Sequence, residues 1–161
     1  MRVLVQRVTR ASVRIGDETA GQIGPGLLLF VGVSASDTAE ELELLTTKVL
    51  NLRIFEDEDG RMNHSLLDLA VDDDASAAVL VISQFTLYGD VRKGRRPSFT
   101  RAAPPDVAGP MVQRFVERLA APNVTVEQGR FGAEMAVELI NDGPVTIWLD
   151  SEDLAQPRRS T

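Results

Sequence analysis

Residues 27–33 read LLLFVGV, seven positions without one polar side chain. A strand with one face toward water alternates apolar and polar residues, so this run predicts a strand that is covered on both faces and lies centrally in a sheet. Residues 77–83, AAVLVIS, form a second run of the same kind. We therefore expect two fully buried strands around which the remaining elements are arranged.

Shorter patterns place the elements on either side of these runs. In residues 3–15 the apolar positions change parity, which predicts one long strand with a β-bulge, and its partner follows at 19–23. Residues 38–52 have helical spacing behind an apparent capping box formed by Asp37 and Glu40. A second helix runs up to residue 119, with Pro105 and Pro110 at its start. Short strands are expected at 53–56 and near 124–126.

The last strands contain an unusual turn. Apolar residues alternate over 135–139 and again over 145–149, and Asn141-Asp142-Gly143 between them is typical of a turn, which predicts a closing β-hairpin. Pro144 stands where the second arm would begin. We predict an α+β fold: a curled or barrel-like, mostly antiparallel sheet with two main helices. One domain spans residues 1–150, and 151–161 form a disordered tail.

Composition narrows the chemistry. The chain has 161 residues, no cysteine and one histidine, His64, which we interpret as a surface or capping residue. A Ser-His-Asp hydrolase needs an imidazole base, and a metal hydrolase generally uses several histidines, so neither class is favoured. We predict no metal and no cofactor. The longest apolar run is far shorter than the ~20 residues of a membrane helix, so we expect a cytoplasmic protein without a membrane partner.

Positive charge is concentrated in one stretch. The formal net charge is -7, yet five basic residues lie within ten positions: Arg92, Lys93, Arg95, Arg96 and Arg101. A basic stretch is often only a solvated loop, but in an acidic protein it is also the local feature suited to phosphate. We therefore treat Arg92, Lys93, Arg95 and Arg96 as candidate contacts to nucleic acid.

Polar side chains follow the second buried strand abruptly, in Ser83-Gln84-Phe85-Thr86. These residues either end the strand or form an oxyanion site, because a rigid strand end presents an amide, two hydroxyls and backbone N–H groups at one point. Thr86 is a candidate nucleophile or hydrogen-bond partner. No general base accompanies it in the sequence, which disfavours the nucleophile.

Four motifs together resemble the D-aminoacyl-tRNA deacylase family, also called D-tyrosyl-tRNA deacylase. They are VQRVTRASV at 5–13, SQFTL at 83–87, GRFGAEMAVEL at 129–139 and NDGPVT at 141–146. The resemblance runs from Met1 to about Asp150. It implies a homodimer that binds tRNA, hydrolyses the ester between a D-amino acid and the terminal adenosine, and in some contexts removes glycine.

The resemblance also implies roles for individual residues. Gly143-Pro144 would be a cis pair inserted into the partner subunit's active site, where its carbonyls hold the α-amino group and its backbone rejects L-amino acids. Ser83, Gln84, Phe85 and Thr86 would lie at the ester, with Met135 binding substrate and Arg7 supporting the Gly-Pro motif. Whether Thr86 attacks or the RNA 2′-hydroxyl assists stays open, and the missing base favours the latter.

Two other classes of function are compatible with these observations. The first is a non-catalytic RNA-binding or regulatory dimer that uses the basic stretch, although only Tyr88 and Phe99 flank it as stacking aromatics. The second is a small-molecule esterase or lactonase with a Thr nucleophile, which again lacks a base. Hydrolysis of D- and L-aminoacyl-tRNA and of a simple activated ester separates the three.

Overall fold

Strand β3, Gly26–Gly32, lies in the middle of a six-stranded sheet. The computed structural model describes residues 1–71, 77–121 and 123–156. In this part of the chain the other strands are β1 Arg2–Ile15, β2 Glu18–Ile23, β4 Phe55–Glu56, β5 Met62–His64, β6 Ala78–Ser83, β7 Thr125–Gln128 and β8 Ala136–Asp150. The helices are α1 Ala39–Asn51, α2 Leu66–Val71, α3 Pro105–Leu119 and α4 Ser151–Leu154, with a 3₁₀ turn at Phe85–Tyr88, hereafter the 85–88 turn.

The main sheet is mixed and curls into a nearly closed barrel. Its order is β2-β1-β3-β6-β7, and β8 pairs with β1. Strand β1 is antiparallel to β2, β3 and β8, whereas β3–β6 and β6–β7 are parallel. A Cβ built on Gly21 of β2 would lie 3.0 Å from the carbonyl oxygen of Gln128 on β7, so the two ends of the sheet come close together. The predicted α+β class and barrel-like sheet are confirmed.

Both faces of the two central strands are buried, as their sequences predict. On one face Leu27, Leu29 and Val31 of β3 join a core covered by α1, α2 and α3. On the other face Leu28 packs with Leu80 of β6 in a second cluster inside the curled sheet. The bulge predicted in β1 is also present, since β1 advances two residues while β8 advances one between the pairs Val8↔Asn141 and Arg10↔Ile140.

Helix α1 begins one residue later than the predicted capping box. Thr38 is the N-cap, its hydroxyl accepts from the Glu40 N–H at 3.2 Å, and the Glu41 carboxylate accepts from the Thr38 N–H at 2.7 Å. Hydrogen bonds from Thr38 hold the pKa of Glu41 below its ordinary value. Asp37 instead accepts from the Ser34 N–H and the N-terminal ammonium, so its carboxylate is not free to cap the helix.

The predicted closing hairpin is wrong. Strand β8 is continuous, and both of its halves pair with β1 rather than with each other. Between the pairs Val8↔Asn141 and Gln6↔Thr146, β8 advances five residues while β1 advances two. Residues 142–145, hereafter the 142–145 protrusion, therefore bulge out of the sheet. Alternating hydrophobicity reports which side chains are buried but not which strand is the partner, and β1 is long enough to pair with both arms.

The predicted tail begins with ordered residues. The Asp150 carboxylate accepts from the Glu152 N–H at 3.0 Å and caps α4, and Ser151 is buried. This cap places residues 151–154 in a helical turn, whereas the sequence suggested disorder from residue 151. Residues 157–161 lie outside the described ranges. Among the described helices none is long and apolar enough to cross a membrane.

Candidate active site

The 85–88 turn is held at the carboxyl end of β6. Ser83, the last residue of β6, pairs with Val31 of β3, and the Gln84 N–H donates to the Val31 carbonyl at 2.7 Å. The turn then crosses Gly32, where an added Cβ would lie 3.0 Å from the Gln84 carbonyl oxygen and 3.2 Å from the Leu87 Cβ. The absence of a side chain at position 32 thus lets the turn pack directly on the central strand.

The first residues of this turn present hydrogen-bond donors. Within the described residues, neither the Phe85 N–H nor the Thr86 N–H donates to another protein group, which is ordinary for the first N–H groups of a helical turn. The side-chain amide of Gln84 donates to the Thr86 hydroxyl. Two backbone donors and an amide therefore lie together at one strand end, the arrangement that stabilises a developing oxyanion.

A cavity of about 560 Å³ opens beside these donors. Ser83, Gln84, Phe85 and Met135 line it, so it brings four of the predicted site residues together. Thr86 is not a lining residue. Most of the remaining wall is apolar and comes from β3, α3 and two loops, including Val31, Val33, Phe99, Ala103, Val112 and Phe131. The cavity can exclude water from a ligand of moderate size.

No titratable side chain lines this cavity in the part of the chain that the structure describes. His64 lies in β5, paired with Phe55, and is not among the lining residues. The described walls of the cavity therefore contain no side chain that could act as a general base on a bound ester. This agrees with a reaction in which the substrate supplies its own proton acceptor or nucleophile-activating group.

Two aromatic residues of the site, Phe99 and Phe131, were not identified as site residues from the sequence. The ring of Phe85, which is 57% exposed, packs edge-to-face with that of Phe99, with centroids 5.0 Å apart and planes at 72°. Phe131 lines the cavity from the loop between β7 and β8. In the sequence Phe99 stands out only as an aromatic residue beside the basic stretch, and Phe131 only as part of the motif at 129–139.

Arg7 supports the 142–145 protrusion from within the protein. Its side chain is nearly fully buried, and its Nε lies 3.3 Å from the Asp142 carbonyl oxygen and 3.0 Å from Asp142 Oδ2. Nη1 donates to the Ile54 carbonyl at 2.7 Å, and Nη2 donates to Glu56 Oε1 at 3.3 Å. The planar guanidinium satisfies all of these acceptors at once, which a single ammonium cannot do.

Replacing Arg7 with lysine is expected to lower the free energy of unfolding by about 1–3 kcal/mol, because a buried carbonyl of Ile54 or Asp142 loses its donor. Chemical denaturation measures the change. Arg10→Lys is the matched control, since Arg10 lies on the same strand in an exposed ion pair with Glu138 and should change stability by less than about 0.5 kcal/mol. Equal effects of the two substitutions would contradict the role given to Arg7.

The protrusion does not reach the cavity of its own chain. The Gly143-Pro144 peptide bond is cis, as the resemblance predicts, and both residues are exposed. Neither lines the cavity. On β3, Leu27 pairs with Arg7, which holds the protrusion, and Val31 pairs with Ser83, which lines the cavity. These positions are four residues apart, so the protrusion and the cavity are offset by about 13 Å along the strands. One chain by itself keeps these parts of the predicted site separate.

The basic stretch forms an exposed loop next to the site. The isolated pair Asp90↔Ser98 closes it, and Phe99 then contacts Phe85. Arg92 donates to Asp90 at 2.9 Å, and this hydrogen bond lowers the pKa of Asp90 to about 2. Lys93, Arg95 and Arg96 make no ion pair with any residue in the described ranges, and all three are exposed. Their charges are therefore available to an external anion.

Known proteins resemble this chain in sequence over almost its whole length. Residues 4–150 match the family described as D-Tyr-tRNA(Tyr) deacylase. A D-aminoacyl-tRNA deacylase of Roseiflexus sp. (strain RS-1) is 54% identical over 98% of both chains. That of Thermomicrobium roseum (strain ATCC 27502 / DSM 5159 / P-2) is 57% identical over 96% of both.

Solved structures share the fold. One described as a c-Myc DNA unwinding element binding protein is 43% identical, with a TM-score of 0.83, over 93% of this chain and 98% of that one. A probable eukaryotic D-amino acid tRNA deacylase has a TM-score of 0.76 at 20% identity, over 92% and 97% of the two chains.

Proposed function

Because this chain belongs to the D-Tyr-tRNA(Tyr) deacylase family, we propose that it hydrolyses the ester bond of D-aminoacyl-tRNA in the cytoplasm and leaves L-aminoacyl-tRNA intact. The observation that carries the proposal is the cavity beside the 85–88 turn, which is edged by unpaired backbone donors and, among the described residues, is lined by no titratable side chain. Such a site suits an ester that carries an activating hydroxyl of its own.

In the proposed reaction the ester carbonyl lies at the start of the 85–88 turn. Water adds to the carbonyl carbon, and the N–H groups of Phe85 and Thr86 with the Gln84 amide stabilise the negative oxygen that forms. The tetrahedral intermediate then collapses, the C–O bond to the ribose breaks, and the ribose oxygen leaves with a proton. The neighbouring 2′-hydroxyl of the terminal adenosine takes the proton that the attacking water loses and passes a proton to the leaving ribose oxygen, since no base from the described residues lines the cavity.

A homodimer would complete the site. The exposed 142–145 protrusion lies away from its own cavity, which supports its insertion into a partner's. A row of incompletely buried apolar side chains crosses the sheet from Trp148 through Leu4 to Phe30, and Trp148 is 45% exposed. A second copy packed on this row would cover it and bring the partner's protrusion toward the cavity.

Chiral selection would then be made by backbone atoms. In the proposed dimer, carbonyl groups of Gly143 and Pro144 hold the α-amino group, and their rigid backbone leaves room for a side chain on the D side alone. Glycine has no side chain to be rejected, so glycyl-tRNA is also a proposed substrate. Met135 forms part of the cavity wall near the bound amino acid or adenosine.

Phosphates of the tRNA would contact the basic loop. Neutralising Arg95 and Arg96 together is expected to weaken apparent affinity for D-aminoacyl-tRNA and to reduce the slope of log affinity against log salt by about 0.7–0.9 for each lost phosphate contact. Arg61→Gln with Arg118→Gln is the control, because it removes the same charge from residues that are paired elsewhere. An unchanged salt slope would show that the loop does not contact phosphate.

The decisive experiment follows ester loss from four substrates: D-tyrosyl-tRNA, L-tyrosyl-tRNA, glycyl-tRNA and a p-nitrophenyl ester. Hydrolysis of the D-tyrosyl and glycyl esters with the L-tyrosyl ester intact is the expected result. Hydrolysis of the p-nitrophenyl ester alone would favour a small-molecule esterase, and RNA binding without turnover would favour a non-catalytic protein. A D-tyrosyl-tRNA that ends in 2′-deoxyadenosine should resist hydrolysis.

A further inference from the structure

We propose that Arg2 is a positioning residue for the 85–88 turn, and that it sets the direction of the N–H groups that face the ester. This inference rests on the proposed function, because it assigns the turn to the deacylation site. Arg2 lies at the start of β1, paired with Gly32, the residue over which the turn crosses. Its side chain reaches the backbone of the turn beside this crossing.

Four contacts fix the guanidinium of Arg2. Nη1 donates to the Leu87 carbonyl within the turn at 2.8 Å, and Nε donates to Asp150 Oδ2 at 2.8 Å. The guanidinium carbon lies 4.4 Å from the ring centre of Tyr88 and 5.5 Å from that of Trp148. The group thus bonds along its edge and stacks against aromatic rings, a combination that lysine cannot reproduce.

These contacts join the turn to the sheet. Tyr88 is 2% exposed and Asp150 is 6% exposed, so the pairing takes place largely away from water. Gly32 allows the turn to pack directly on β3, and Arg2 holds the turn by the Leu87 carbonyl. Without Arg2 the carbonyl loses its donor and the turn is restrained on one side only. A displacement of about 1 Å at the reacting groups is enough to lower a rate by ~10²-fold.

The experiment measures kcat and KM for hydrolysis of D-tyrosyl-tRNA by Arg2→Met, Arg2→Lys and the wild type. We expect kcat to fall by roughly 10- to 100-fold in Arg2→Met, with KM within about twofold, because the turn and not the bulk of the binding surface is displaced. Arg2→Lys should recover part of kcat, since it keeps the charge beside Asp150. Arg10→Met, the same change at an exposed position of β1, should leave kcat within about twofold.

Two readouts are independent of turnover. Amide exchange should accelerate in residues 84–89, where the Leu87 and Gly89 N–H groups close the turn, while β3 stays protected. Trp148 is the only tryptophan of the chain, so its fluorescence reports the loss of the stacked guanidinium.

An unaltered kcat or unaltered exchange in residues 84–89 would overturn the proposal. If Arg2→Met does not fold, Arg2→Lys decides by the same criteria. A wild-type protein that fails to hydrolyse D-tyrosyl-tRNA would refute the proposed function, whereas the exchange measurement would still decide whether Arg2 positions the turn.

Discussion

Alanine at position 143 is expected to lower hydrolysis of D-tyrosyl-tRNA by about 10²-fold or more while the fold persists. Gly143 has a φ of +124°, which L-residues rarely adopt, and its new Cβ would lie 2.7 Å from Val145 Cγ2 and 3.2 Å from Arg7 Nη2. The protrusion must therefore move, and it would no longer align the carbonyls that are proposed to hold the substrate. Steady-state kinetics and thermal unfolding measure the two effects separately.

Gly60→Ala is the matched control for backbone strain. Gly60 also has a positive φ, +74°, but a Cβ there has no atom within 4 Å. Both substitutions carry a backbone cost of ~1–3 kcal/mol, and only the one at position 143 should affect turnover. If the two variants keep the same activity, Gly143 does not take part in the site.

Mixed dimers test whether each site draws on both subunits. One subunit carries Gly143→Ala and the other carries Gln84→Ala, so in a mixed dimer one composite site is intact and the other is doubly damaged. A purified mixed dimer should have about half of the wild-type activity, and a 1:1 mixture after random subunit exchange should approach about a quarter. Verified mixed dimers with no recovery would show that the protrusion does not serve the partner's cavity.

Gln84→Ala should reduce kcat by about 10²-fold, the loss measured for one well-placed oxyanion donor in other hydrolases. Thr86→Ala should cost less, about tenfold or under, because the hydroxyl serves chiefly to accept from the Gln84 amide and thereby orient it. Single-turnover kinetics with D-tyrosyl-tRNA would compare the two variants without interference from product release.

Thr86→Ser distinguishes this orienting role from a threonine nucleophile. If Thr86→Ala abolishes turnover and Thr86→Ser restores it, the hydroxyl attacks the ester and the orienting role is wrong. Rapid denaturation during turnover provides a chemical test of the same point, because a nucleophilic hydroxyl would be trapped as an aminoacyl ester on residue 86.

The sequence predicted the buried parts of the fold well. Both faces of β3 and β6 are covered, and polar side chains are almost absent from residues 27–33 and 77–83. The apolar composition of these strands was therefore enough to predict their burial. The capping box predicted at Asp37 and Glu40 was wrong because several side chains near the start of a helix can act as the N-cap. Tertiary contacts of Asp37 leave Thr38 to take this role. The hairpin was wrong because pairing partners are chosen over the whole sheet.

The candidate site was predictable where its chemistry is local. Gln84 and its neighbours stand out as polar groups at the end of an apolar strand, and Gly143-Pro144 stands out as a proline within a strand pattern. Phe99, Phe131 and the first turns of α3 contribute apolar surface from distant parts of the chain, and no local pattern in the sequence groups these residues with Gln84. Arg2 is inconspicuous in the sequence because its partners are 85 and 148 residues away.

The continuous pairing of β8 with β1 gives the 142–145 protrusion a mechanical property that a hairpin tip lacks. A tip is free at one end and frays from it, but both flanks of this loop are hydrogen-bonded to the same strand. The Asn141 side chain also bonds the N–H and the carbonyl of Val145 across its base. Large movements of the loop require hydrogen bonds between β1 and β8 to break. The loop therefore loses little conformational entropy when a ligand binds. The protrusion is therefore a rigid, preformed part of the site and does not close over the ligand as a lid does.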